Sequence, residues 1–458
     1  VSNEDDLPRN TVARTARLAS LPLGIAGRVT LGLGKRIGGK SAEVVREEFQ
    51  KRTADQLFRV LGELKGGAMK FGQAMSIFEA ALPDQIAGPY RATLTKLQDS
   101  APAMPTTTVQ RVLTEELGTG WRRKLRNFDD QPAAAASIGQ VHRAQWPDGQ
   151  EVAVKIQYPG AADALRSDLK QIARLGKLFS TLIPGLEVRP LVEELQARIG
   201  EELDYALEAE AQSTFAEAYA DDPDFAIPRV HLHTPRVLVS DWIDGTPLSQ
   251  VISDGTQEER NRAGLLFTRF LFSGPARAGL LHGDPHPGNY RMTPDGRLGV
   301  LDYGLVARLP DGFPSQIGRL LRIAMNEDFE AVLDGLREEG FVKPGANINA
   351  EDLHTYLAPF IDPACGETYR FTREWLRSQF DHVSDVGRNG ASLALRLNLP
   401  PSYFLINRVW GGGVGVLCQL GAEAPFRGEL DSWLPGFVDE PKPETANELE
   451  EADQPARG

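Results

Sequence analysis

Within Leu281-His282-Gly283-Asp284-Pro285-His286-Pro287-Gly288-Asn289-Tyr290 a carboxylate, Asp284, and an amide, Asn289, stand five positions apart. Twelve residues after Tyr290 a short apolar run ends in Asp302-Tyr303-Gly304. Phosphoryl transfer from ATP uses this set of groups. One carboxylate orients the acceptor, while an amide and a second carboxylate hold the metal that bridges the phosphates. Asp284 suits the first role and Asn289 and Asp302 the metal-holding roles. A proline- and glycine-rich surface turn before an ordinary strand would explain either segment alone, but not the two in this order.

The order and spacing are those of the protein-kinase loop H-R-D-x-x-x-x-N followed by D-F-G, with Gly283 in place of the arginine and Tyr303 in place of the phenylalanine. A kinase also needs a strand lysine on the phosphates and a helix glutamate to hold it. Glu151-Val-Ala-Val-Lys-Ile-Gln157, after an Asp148-Gly149 hairpin turn, supplies Lys155 in the V-A-x-K position. The glutamate candidates are Glu202 and Glu208, in a helical pattern within 161–220. Glu202 is taken as the partner, although most acidic residues on such a helix are simply its solvated face.

Other elements must position these groups. Pro132–Ala144 reads as a small-residue loop between two short strands, with Ala134, Ala135, Ala136 and Ser137 where kinases have a glycine loop over the phosphates. Alanine methyls restrict the backbone there and alter the grip on phosphate. Thr106–Thr108 offers a cap for a helix towards Leu117 that Gly118 ends. Ile227–Val230 and Pro235–Trp242 read as the last strands of the same sheet, and Asp244-Gly245 as the interlobe connector. A helix spans 257–280, and the chain beyond Arg308 is helical, with breaks near Pro344, Pro363 and Pro400-Pro401. The glycine-dense run from Val409 to Gly415 fits tight packing or a helix break. Upstream, four glycines interrupt a helical stretch around Lys65 and Lys70, which suggests close backbone approach.

With 458 residues and a net charge of −13, the chain suits two to three structural units and disfavours charge-driven nucleic-acid binding. Cys365 and Cys418 are its only cysteines, so neither a disulfide framework nor a cysteine-rich zinc site is expected. His231-x-His233 has no neighbouring ligands to complete a metal site. No window offers the roughly 20 apolar residues of a membrane span. The expected setting is cytoplasmic, with peripheral contact at the inner face of a membrane as its extension. In residues 1–45, Arg14, Arg17, Arg28, Lys35, Arg36 and Lys40 alternate with apolar residues. That pattern suits an anionic membrane surface, or more plainly a mobile packing arm.

Together these motifs resemble the UbiB family of atypical protein-kinase-like proteins, also called AarF-domain or ADCK proteins. Lys70-Phe71-Gly72-Gln73 matches its K-x-G-Q motif, Ala134–Ser137 its alanine-rich loop, and Glu202-Leu-Asp204-Tyr-Ala-Leu-Glu208 its E-x-D-Y-x-x-E helix. The resemblance spans roughly residues 45–420. It implies an α+β, two-lobed kinase-like fold with an N-terminal helical extension and a mostly helical C-lobe. The units expected are an arm (1–45), a K-x-G-Q extension (46–125), an N-lobe (126–245), a C-lobe (246–436) and a disordered acidic tail (437–458). It further implies ATP and Mg²⁺ as cofactors, and ATPase or unorthodox kinase activity in support of quinone or isoprenoid-lipid metabolism, with a lipid or quinone-like ligand as partner. Lys70 and Gln73 would cap the substrate entrance. Two other classes fit the residues: a nucleotide-regulated binding protein without significant catalysis, and a small-molecule kinase. The latter is disfavoured by the K-x-G-Q block.

Overall fold

The computed structural model describes residues 104–136, 138–160, 203–343, 345–384, 396–398 and 400–438. Helix α1 (Thr106–Leu117) opens the described chain. Pro105 takes its cap position and no side chain caps it, so the three threonines form the first turn instead. Strands β1 (Ala134–Ala136), β2 (Gly139–Gln145) and β3 (Glu151–Gln157) follow. After α2 (Tyr205–Ala218) and the two-residue β4 (Phe225–Ala226) come β5 (Val230–His233) and β6 (Val237–Asp241). The N-lobe sheet has the order β1-β2-β3-β6-β5, antiparallel throughout.

Two expectations change here. The alanine run is not a loop: Ala134, Ala135 and Ala136 pair with Val141, Gln140 and Gly139. Pairing satisfies backbone donors and acceptors that a loop would have to leave to water. Gly139 lets β2 in turn close on β3, because a Cβ there would lie 2.2 Å from the carbonyl oxygen of Ile156. The strand expected at Ile227–Val230 instead begins at Val230, since Pro228 has no N–H to give a ladder.

Period-two alternation along β3 decides where the lysine points. Val152, Val154 and Ile156 are fully buried against Val109, Val112 and Leu113 of α1 and against Val237 and Val239. Each such side chain contributes about 1.5–3 kcal/mol. Lys155 therefore falls on the opposite face of the strand, towards α2.

Beneath this sheet a buried polar chain fixes one histidine. Gln140 Oε1 accepts the Met104 N–H (2.7 Å), so the Gln140 amide nitrogen donates to His142 Nε2 (2.7 Å), and His142 Nδ1–H donates to the Asp129 carbonyl (2.7 Å). His142 is thus neutral, and burial pushes its pKa below the usual histidine value despite the Asp129 carbonyl. The unfolded chain then binds the extra proton more readily than the folded one. This contribution to stability is complete above about pH 6.5 and is lost as pH falls through the depressed folded value. Thermal melting of the full chain is expected to fall more steeply below pH 6.5 in the wild type than in His142→Gln. Parallel curves would show that the histidine does not titrate in this way.

The C-lobe is built on β7 (Thr246–Pro247), α3 (Leu248–Asp254) and the 22-residue α4 (Gln257–Ala278). Thr256 and Glu259 cap α4 reciprocally, and Gly279, left-handed at φ 65°, ends it. Four short strands follow, β8 (Leu280–His282), β9 (Tyr290–Met292), β10 (Leu298–Val300) and β11 (Val306–Arg308). They form the sheet β4-β10-β9-β7 and the pair β11-β8. Helices α5 (Ser315–Met325), α6 (Phe329–Glu338), α7 (Ala350–Cys365), α8 (Arg373–Ser384), α9 (Phe404–Leu420) and α10 (Phe426–Trp433) complete the lobe. Helix α7 passes through Pro363 to Cys365, held by the buried Ile361 and Ala364 on either side. The run Val409–Gly415 lies within the continuous α9. A Cβ at Gly413 would come within 3.3 Å of Leu271 Cδ1, so tight packing is the correct reading of that stretch. Phe437 is buried in the C-lobe core, one residue beyond the expected boundary at 436. Among the described residues no helix is long and apolar enough to cross a membrane.

Helix α2 belongs to the C-lobe core as much as to the N-lobe. Phe215 sits 5.4 Å from the ring of Phe270 and 5.3 Å from that of Tyr303, and Tyr219 shares a 2.7 Å hydrogen bond with Ser273 on α4. The chain leaving α2 then pairs Asp222 with Arg277 (2.7 Å) and Asp224 with Arg262 (2.7 Å) and Arg269. Strand β4, which sequence reading passed over, pairs parallel with β10.

Candidate functional site

Lys155 lies where the two lobes meet. Its Nζ is 2.6 Å from Glu208 Oε1 and 3.1 Å from Asp302 Oδ2, with the lysine side chain 15% and the glutamate 2% exposed. Burial works against the ammonium charge, but the Asp302 and Glu208 carboxylates outweigh it and hold the lysine pKa well above its ordinary value. The Tyr205 ring adds a face 5.5 Å from Nζ.

Among the described residues the glutamate that meets Lys155 is Glu208. Asp204 caps α2, accepting from the backbone N–H of Ala206 (3.0 Å) and Leu207 (3.4 Å). The first helical turn therefore starts at Tyr205 and carries Glu208 on the buried face with Tyr205, Ala209 and Gln212. Glu202 lies outside the described residues. The signal was in the sequence: an aspartate immediately before an apolar-faced turn marks a helix start. Ile138, Tyr205, Ala209 and Leu238 form a small cluster that locks the turn after β1 to α2 behind the lysine.

The two acidic loops are tied to each other through His282. A carbonyl can only accept, so His282 Nε2–H donates to the Asp302 backbone oxygen (2.5 Å), and Nδ1 accepts from the Tyr290 hydroxyl (3.1 Å). Gly283 N–H donates to the Leu305 carbonyl (2.8 Å), and a Cβ at Gly283 would lie 2.8 Å from Leu305 Cγ. The loop therefore has no room for the arginine that kinases place there. Asn289 ends a single 3₁₀ turn and is buried. Its amide N–H donates to the Asp284 carbonyl (3.2 Å), which leaves Oδ1 as the oxygen offered to a cation. Asp302 Oδ1 accepts from Gly304 N–H (3.0 Å), which fixes the rotamer of that carboxylate.

The structure thus brings together Lys155, Asp284, Asn289 and Asp302, and adds Glu208. Ala134–Ala136 form the edge strand of the same sheet, with β2 between them and the Lys155 strand. Lys70, Gln73 and Ser137 lie outside the described residues. Among the described residues no cluster of three or more His, Cys, Asp or Glu is placed to hold a metal. His231 instead pairs with Asp241 (2.6 Å). An amide oxygen and one carboxylate match what Mg²⁺ asks of a protein when phosphates and waters supply the rest. The donor set therefore fits a metal-bound nucleotide.

A lysine-bearing antiparallel sheet over a helical lobe, joined across paired acidic loops, defines a protein-kinase-like fold. The chain belongs to the ABC1 atypical kinase-like family, within the UbiB/ADCK group, whose domain matches residues 96–335. It is 29% identical to "Atypical kinase COQ8B, mitochondrial" of Danio rerio, over 90% of this chain and 66% of that protein, and so spans just under two thirds of that relative. The Rattus norvegicus protein of the same name is 30% identical, over 81% of this chain and 72% of its own length. Among solved structures, "The complex structure of Rv3197-erythromycin from Mycobacterium tuberculosis" is 43% identical with a TM-score of 0.68, covering 87% of this chain and all of that one.

Proposed function

We propose that this protein binds Mg-ATP and transfers the terminal phosphoryl group to water or to an acceptor. The observation that carries this reading is the double contact of Lys155 with Glu208 and Asp302. It puts one cation beside the carboxylate that faces the metal and phosphates. Glu208 holds the Lys155 ammonium in position for the nucleotide phosphates. Asn289 Oδ1 and Asp302 would hold the metal, which when bound neutralises charge developing on the phosphates. Asp284 orients the nucleophile and accepts its proton. His282 holds the Asp284 and Asp302 loops in register, so a shift of one is felt by the other. The strand Ala134–Ala136 offers a stiffer roof than a glycine loop, and Lys70 and Gln73 restrict the entrance.

The physiological role we assign is support of quinone or isoprenoid-lipid metabolism, which rests on the family resemblance and on relatives named atypical kinases. A second reading, a nucleotide-regulated small-molecule-binding protein, is favoured by the relative solved with erythromycin. ATP hydrolysis by the purified full chain separates the two. Asp284→Asn is expected to lower kcat about 10²–10³-fold while nucleotide still binds. Tight ATP binding without turnover in the wild type, even with quinone-like compounds and anionic liposomes present, would select the binding protein.

A further inference from the structure

The C-lobe contains two separate hydrophobic cores. One is built around α4, α9 and α10, the other around α5, α6 and α7. Where they meet they do not close. A cleft of about 410 Å³ lies between them, walled by Phe267 and Leu271 of α4, Leu320 of α5, Val332 of α6, and Ile406 and Val414 of α9. Protein interiors are packed as densely as organic crystals, with few voids larger than a water molecule. A cleft this size is in the range of small-molecule sites.

Its chemistry is one-sided. None of the described residues that line it is charged. Of its polar lining residues Asn398 and Asn407 are exposed, while the buried Thr268 and Tyr403 spend their hydroxyls on the Gly264 carbonyl and on Glu339. Inside, Trp410 stacks on Phe272 at 5.4 Å, and its Nε1–H is buried with no hydrogen-bond partner among the described residues. A buried donor without an acceptor is unfavourable unless something supplies one. An ion would have to shed its water against walls that offer no counter-charge. A helix from a partner protein is about 10 Å wide and too bulky for the volume.

We infer that this cleft binds a neutral, largely hydrocarbon small molecule carrying a hydrogen-bond acceptor, with the acceptor on Trp410 Nε1–H. The site is distinct from the one around Lys155 and stands whether or not the nucleotide chemistry is as proposed.

The test uses prodan, a neutral naphthalene ketone with environment-sensitive emission, titrated into the purified full chain. Saturable one-to-one binding is expected, with blue-shifted emission and quenching of tryptophan fluorescence. The anionic naphthalene sulfonate ANS is expected to bind at least about tenfold more weakly. Val414→Trp, which fills the cleft, and Asn407→Trp, which adds bulk at an exposed lining position, should each weaken prodan binding about tenfold or more. Trp410→Phe, which keeps an aromatic ring but removes the donor, should weaken it about threefold to tenfold. Asn407→Trp keeps the test decisive if Val414→Trp fails to fold. Asp284→Asn should bind prodan like the wild type, so a failure of the nucleotide reading would leave this result intact. No saturable binding, equal affinity for ANS, or undiminished binding by the folded tryptophan variants would overturn the inference.

Discussion

Asp302→Asn is expected to reduce ATP hydrolysis about 10³-fold and to remove the dependence of nucleotide binding on Mg²⁺. Among the described residues this carboxylate touches Lys155 and is also one of the two groups proposed to hold the metal. An asparagine keeps the volume and can still accept from Gly304 N–H, but it brings no charge. Lys155 retains Glu208, so the fold should lose no more than about 1 kcal/mol. Hydrolysis assays with a magnesium titration, beside thermal melting, separate the two effects. Undiminished hydrolysis would remove Asp302 from the proposed machinery.

Glu208→Gln should behave differently, because it damages both the site and the fold. Glu208 is 2% exposed, and removing one member of a buried ion pair typically costs about 3–5 kcal/mol. The remaining Asp302 contact should bring the loss to the lower end, about 3 kcal/mol, a fall of several degrees in Tm. Lys155, held only by Asp302, would be drawn towards the metal position and away from the phosphates. ATP turnover should drop about 10²-fold, with a raised KM. Glu202→Gln is the matched control and should remain close to wild type in both respects. If Glu202→Gln lost turnover and Glu208→Gln kept it, the assignment of the lysine partner would be reversed.

Much of this was legible in the chain itself because the informative residues lie on short, strongly patterned elements. The alternation in Glu151–Gln157 fixed both the strand and the face on which Lys155 emerges. The spacing of Asp284, Asn289 and Asp302 survives because a three-residue turn and two short strands leave little freedom between them. What the sequence hid was tertiary. The Asp204 cap that sets Glu208 on the buried face of α2 was legible, whereas the contact of Glu208 with Lys155 on a distant strand was not. The alanine run has no side-chain pattern to betray a strand, since its pairing is backbone to backbone. Phe225-Ala226 is too short for any periodicity, so its place beside β10 comes only from the distant partner. The cleft could not be foreseen at all, because each of its walls reads as ordinary core.

The anchoring of α2 has a consequence for control. In protein kinases the positioning of the glutamate-bearing helix is one of the things activation governs. Here the C-terminal end of that helix is anchored in the lower lobe. Phe215 and Tyr219 are embedded against α4, ion pairs to Arg262, Arg269 and Arg277 secure the chain that leaves it, and β4 is stitched into the sheet that leads to Asp302. Rotating Glu208 away from Lys155 would mean tearing the lower lobe's own core. The Lys155–Glu208 contact is thus braced from the lower lobe through the C-terminal end of α2, which couples the position of Glu208 to the packing around α4.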